Sequence, residues 1–193
     1  MKITTEKHIK ERIITATIDL IKDSDGLIED ITIRKIAESA DVALGLINYY
    51  FDSKDKLIEV CVERIISNVM KVFPNIDDLN DYKDANKDIT SFTINVFKFL
   101  LNNPEISKIS MLSDLKTPKI NSNSSISYKA ILRALPDKYP EAIKRVKAFI
   151  FLATIQSAFL NKDTTSELLG INLNNKEDYT KFFNLVSDIL NIN

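Results

Sequence analysis

The sequence predicts an all-α fold of about nine helices, on three observations. Apolar residues recur at three- and four-residue spacing along nearly all of the 193 residues, and no segment sustains the alternation of a strand. Glycine occurs 3 times and proline 5 times, too few turn formers for a parallel-sheet enzyme, a β-sandwich or a phosphate-cradling loop. Hydrophobic residues make up 45% and charged residues 27%, which argues against a disordered tail and a coiled-coil rod.

The elements follow in order. Ile13, Ile14, Thr17, Ile18 and Ile21 mark a helix from about Thr5 to Lys22, stopped by Asp23-Ser24-Asp25-Gly26, where Gly26 suits a left-handed position. Thr32 offers an N-cap hydroxyl to a short helix over 33–40. Asp41-Val42 breaks it, and a second short helix runs from Ala43 to about Phe51. Asp52 or Ser53 caps a longer helix through Leu57, Ile58, Val62, Ile65, Ile66 and Val69, which Pro74 ends. After a polar connection over 75–87, helices are expected over about 88–101, 104–115 and 124–135, the second with Asn103 as cap and Pro104 at its first position. A long helix opens at Pro140 and reaches about Asn161, and a final amphipathic helix covers about 176–190.

Composition narrows the chemistry. One cysteine cannot close an internal disulfide and one histidine cannot build a His-rich metal site, so no cofactor or metal is expected. No Gly-rich loop, nucleophile–base pairing or metal spacing speaks for an enzyme. The N-terminus lacks the apolar core of a secretory signal, and the longest apolar stretch falls short of the ~20 residues of a membrane span. A cytoplasmic protein without membrane attachment is the expectation. The formal charge is −1, so any contact with nucleic acid must come from local placement of charge.

The most specific feature is the pair of short helices. Ile36, Ala37 and Ala40 pack inward, Val42 fills the turn, and Ile47 and Phe51 anchor the second helix. This is a helix-turn-helix, a motif that projects its second helix into a DNA major groove. The run ITIRKIAESADVALGLINYYFDSKDKL, from Ile31 to Leu57, resembles the TetR family of transcription regulators. The shared pattern is a Thr-capped helix, an Ile-Ala pair, a small residue plus Val at the turn, a Gly in the recognition helix, an aromatic ending and a Ser-Lys-X-X-Leu start. The resemblance covers about residues 8–60. Asp41 stands where the family usually has Gly, and tolerates a left-handed turn better than most residues.

The resemblance implies two domains, a DNA-binding head over 1–57 and an effector-binding and dimerisation domain over 58–193. It also implies a homodimer on a near-palindromic, double-stranded DNA operator. Carried onto this sequence, Ala43, Leu44, Gly45 and Leu46 meet bases, their methyl groups or the DNA backbone. Asn48 bonds a base edge or a phosphate, Tyr49 and Tyr50 approach phosphates or thymine methyls, and Thr32, Arg34 and Lys54 serve phosphate. Residues 1–57 hold nine basic and eleven acidic residues, a net of −2, so such a head relies on amide dipoles and apolar contacts.

Bulky side chains suggest a pocket between the later helices. Its candidate liners are Phe92, Val96, Leu100, Ile109, Met111, Leu112, Tyr128, Leu132, Phe149, Leu152 and Gln156, which suit a small hydrophobic effector. The helix from Pro140 spans ~33 Å at 1.5 Å per residue and is apolar on more than one face. With the last helix it offers Phe151, Ile155, Phe159, Phe182, Phe183, Val186 and Leu190 to a symmetry mate in a four-helix interface. The reading is a ligand-responsive regulator, a repressor by family expectation. The competing one is a helical small-molecule or lipid-binding protein with a degenerate helix-turn-helix.

Overall fold

The computed structural model describes residues 2–72 and 89–192. Ten α-helices occur among them: α1 (Lys2–Lys22), α2 (Ile33–Ala40), α3 (Gly45–Phe51), α4 (Lys54–Val72), α5 (Ile89–Asn102), α6 (Pro104–Lys116), α7 (Asn123–Ala134), α8 (Glu141–Leu160), α9 (Thr165–Leu169) and α10 (Lys176–Ile189). A 3₁₀ turn covers Ile28–Asp30, and the described residues contain no strand. The all-α expectation holds. The 3₁₀ turn and α9 are additions, and the expected connection over 75–87, with Pro74, lies outside the described residues.

The chain divides into two compact units. The first holds the residues up to 72 together with Glu105–Ser110. Its core is built from Ile13, Ile14, Ile21, Ile36, Ile47, Leu57 and Cys61, all buried, and is completed by Ile106 and Ile109. A division at residue 57 falls inside α4, whose Ile58, Cys61 and Val62 all belong to this core. Gly26 takes the expected left-handed conformation at φ 72°. A Cβ there would stand 3.2 Å from the carbonyl oxygen of Glu105, so the turn also needs glycine for close approach.

The second unit holds 89–104 and the residues from Met111 onward. Phe97 and Phe183 meet edge to face at 5.0 Å, and Tyr179 leans on Phe97 at 5.3 Å. A buried pair of hydroxyls, Thr90 and Ser187, 2.9 Å apart, joins α5 to α10. Pro104 opens α6 at its first position, as expected. Asn103 caps nothing with its side chain, because its amide turns back and donates to the carbonyl of Phe99.

α10 ends in a Schellman motif, with Asn191 left-handed at φ 50°. The N–H of Ile192 donates to Ser187 O and that of Asn191 to Asp188 O, while Ile192 is buried as the motif's apolar plug. Lys147 donates to the carbonyls of Leu190 and Asn191, a cation placed at the negative end of the helix dipole. The Tyr139 hydroxyl also donates to Asn191 O.

Candidate nucleic-acid interface

The helix-turn-helix is set by its two closures. Thr32, extended at φ −92°, accepts from the N–H of Lys35 and starts α2. At the other end Asp41 is left-handed at φ 50°. The N–H of Val42 donates to Ala37 O and that of Asp41 to Glu38 O, a second Schellman motif with Asp in the place glycine usually fills. Ile36, Ala37 and Ala40 are buried, as the small-residue crossing requires. Ile47 is buried on α3, which fixes the outward face of that helix.

That face is open. Tyr49 is 72% exposed and Leu44 47%, and Ala43, Gly45 and Asn48 are exposed beside them. Gly45 has an ordinary helical φ, and a Cβ built on it meets nothing within 4 Å. Neither conformation nor packing within the chain calls for glycine there. Leu46 and Tyr50 are half-buried, Tyr50 packing against the head core while its ring meets Tyr49 edge-on at 5.0 Å. Lys10 lies 5.3 Å from the centre of the Tyr50 ring. Desolvation, then Glu6 and Tyr49, push the Tyr50 phenol above its ordinary value, so it keeps its proton as a donor.

α4 is entered through a tight turn. The N–H of Ser53 donates to Phe51 O at 2.7 Å around Asp52, whose φ is 62° and ψ −42°, the rare γ-turn geometry. Ser53 Oγ accepts from the N–H of Lys56 and is the actual cap of α4. Lys56 pairs with Asp52 at 2.8 Å, and that hydrogen bond holds the Asp52 carboxyl below its ordinary value.

The cations around this face are mostly engaged. Lys54, expected on phosphate, donates to the carbonyl of Ile28 at 2.9 Å and ties α4 to the 3₁₀ turn. Only its remaining N–H bonds are available to an anion. Lys35 donates to Asp30 O at 3.0 Å, and Arg12 pairs with Asp41. Arg34 is exposed and has no hydrogen bond or ion pair among the described residues. Arg64 grips Glu11 with both terminal nitrogens at 2.6 and 3.1 Å, joining α4 to α1 within the head. The buried Cys61 thiol is pushed up to about 12 by burial and is an inert core group.

The sites expected in the second unit are partly redrawn. Leu100, Met111 and Leu152 are buried in one cluster, with Phe92, Val96, Tyr128 and Leu132 packed against it. Gln156 donates to Ser124 Oγ at 2.8 Å. Ile109 does not belong with them, because it completes the core of the other unit. Leu112 is exposed, and Phe149, 65% exposed, lies on the outer side of α8 and lines no interior. Phe151, Ile155, Phe159 and Phe183 are buried within the chain and present almost no surface to a partner. The open side of α8 carries Ile143, Val146, Phe149 and Ile150 instead, and α10 exposes Leu185 and Ile189. Phe182, Val186 and Leu190, also expected at the interface, are half-buried. No helix of the described residues is long and apolar enough to cross a membrane. They also contain no group of three or more His, Cys, Asp or Glu that could hold a metal ion.

Residues 13–61, which contain both helices of the motif and their supports, match the family of bacterial regulatory proteins of the tetR type. Over these residues the chain is similar to the TetR family. The chain is also similar to an uncharacterized HTH-type transcriptional regulator of Haemophilus influenzae, 32% identical over 108 residues. That match takes in 56% of this chain, which thus spans about half (53%) of the length of the curated relative. The crystal structure of a TetR transcriptional regulator from Rhodococcus sp. RHA1 covers 98% of both chains at 16% identity with a TM-score of 0.52, a likeness of fold.

Proposed function

We propose that this chain is a TetR-type, ligand-responsive repressor that binds a near-palindromic operator as a homodimer and leaves it when a small hydrophobic effector binds. The outward face of α3 carries the proposal. It displays Leu44, Asn48 and Tyr49 around a glycine that the fold itself does not need, which suits close approach to a duplex. The N-termini of α2 and α4, at Thr32 and Ser53, offer amide dipoles to phosphate. The apolar outer side of α8, with Leu185 and Ile189 of α10, supports self-association. The apolar interior around Leu100, Met111 and Leu152, with Tyr128 packed against it, is where such an effector would insert.

Fluorescence anisotropy with duplex DNA from upstream of the chain's own operon tests the reading. Specific binding at low salt, lost in Tyr49→Ala and Lys54→Ala proteins that still self-associate, is the expected result. A second reading, a small-molecule binder with a head that no longer meets DNA, draws on the head's net charge of −2 and its engaged lysines. Absence of specific binding at low salt decides for it.

A further inference from the structure

We propose that each α3 reads A·T base pairs, with Asn48 on adenine and Ala43 and Leu44 on thymine methyl groups. The proposal rests on the DNA-binding assignment above and concerns which bases that site takes. Base pairs differ in the major groove by their donors, acceptors and methyl groups. Guanine is read mainly by Arg or Lys on its O6 and N7, adenine by the amide of Asn or Gln on N6 and N7, and thymine by apolar contact with its methyl.

Residues 43–50 contain no cation. The nearby ones are held elsewhere: Lys35 on Asp30 O, Lys54 on Ile28 O, Lys56 on Asp52 and Arg12 on the turn. Arg34 sits in the first turn of α2, outside the recognition helix. On α3 itself the exposed hydrogen-bonding side chains are Asn48 and Tyr49. The Asn48 amide has no partner among the described residues, so its donors and its acceptor are free for a base edge. Leu44 and Ala43, exposed and apolar, find in the thymine methyl the one apolar group on the groove floor. Gly45, which follows them, lets the backbone come close enough for these side chains to reach.

The test is selection from randomised duplexes with the full chain, followed by anisotropy on the selected half-site with thymine replaced by deoxyuridine, which lacks only the methyl. The expected outcome is half-sites with A·T at the α3-facing positions, several-fold weaker binding with deoxyuridine, and, in Asn48→Ala, a preference at one A·T pair reduced roughly 5-fold or more. Half-sites fixed on G·C pairs overturn the proposal and leave DNA binding standing. So does A·T enrichment indifferent to deoxyuridine, which marks readout of duplex shape. If no duplex is selected and none binds at low salt, the DNA-binding assignment fails and the proposal with it.

Discussion

Arg12 of α1 holds the end of α2 through one nitrogen: its Nη2 donates to Ala40 O and Asp41 O, each at 2.7 Å, and to the Asp41 carboxylate at 2.9 Å. The guanidinium thus covers carbonyls at the negative end of the helix and supports a non-glycine residue in the left-handed region. Arg12→Gln is expected to lower stability by about 1 kcal/mol, since the pair is largely solvent-exposed. Urea unfolding measures this. Asp41→Gly keeps both carbonyl bonds and relieves the backbone, so its stability should stay near or above that of the parent.

Gly45 separates folding from binding. Its site is helical and unobstructed, so Gly45→Ala should raise stability by ~0.4–1 kcal/mol through reduced freedom of the unfolded chain. The same methyl lies on the face proposed to meet DNA and should weaken operator binding. A thermal melt and an anisotropy titration on one sample must move in opposite directions. Unchanged binding would remove close approach as the reason for this glycine.

The Glu11–Arg64 fork gives the head a pH signature. The hydrogen bond from Arg64 holds the Glu11 carboxyl below its ordinary value of 4.5. A depressed acid contributes stability above its unfolded-state value and loses that contribution as pH falls through its folded-state value. Glu11→Gln should therefore be less stable than the parent at neutral pH, by no more than ~1 kcal/mol because both side chains are over a third exposed. The gap should close on acidification below about the ordinary Glu range. Denaturant midpoints at pH 7 and pH 3 check it.

The two phenylalanines of α8 should part company. Phe149→Glu places a charge on the open face and is expected to break the proposed self-association while the helical content persists. Phe151→Ala removes a fully buried ring and should cost ~3–5 kcal/mol of stability. Light scattering with circular dichroism separates the cases. A Phe149→Glu protein that still pairs would move the interface elsewhere.

These residues also show what a sequence discloses. Thr32, Ile36, Ala37, Ala40 and Ile47 were legible because capping and close crossing are local demands on residue type. Phe149 and Phe151 were not told apart, because α8 is apolar on more than one face and period alone assigns no inner face. α9, Thr165–Leu169, is too short to show a period. The tie from Lys54 to Ile28 and the packing of Ile109 in the head depend on long-range contacts that no spacing encodes. At the candidate interface the outward placement of Tyr49 followed from the inward Ile47 and Phe51, whereas the engagement of the lysines had no such sign in the sequence.

The seat of Ile106 and Ile109 beside Ile13, Ile36 and Leu57 has a practical side. Consider this helix-turn-helix unit transplanted onto another protein. Here a graft severed anywhere from Leu57 to Val72 leaves behind two of its own isoleucines and arrives with a gap in its interior. A working chimera must carry the Glu105–Ser110 segment as well, or bring replacement side chains of the same volume from its new host.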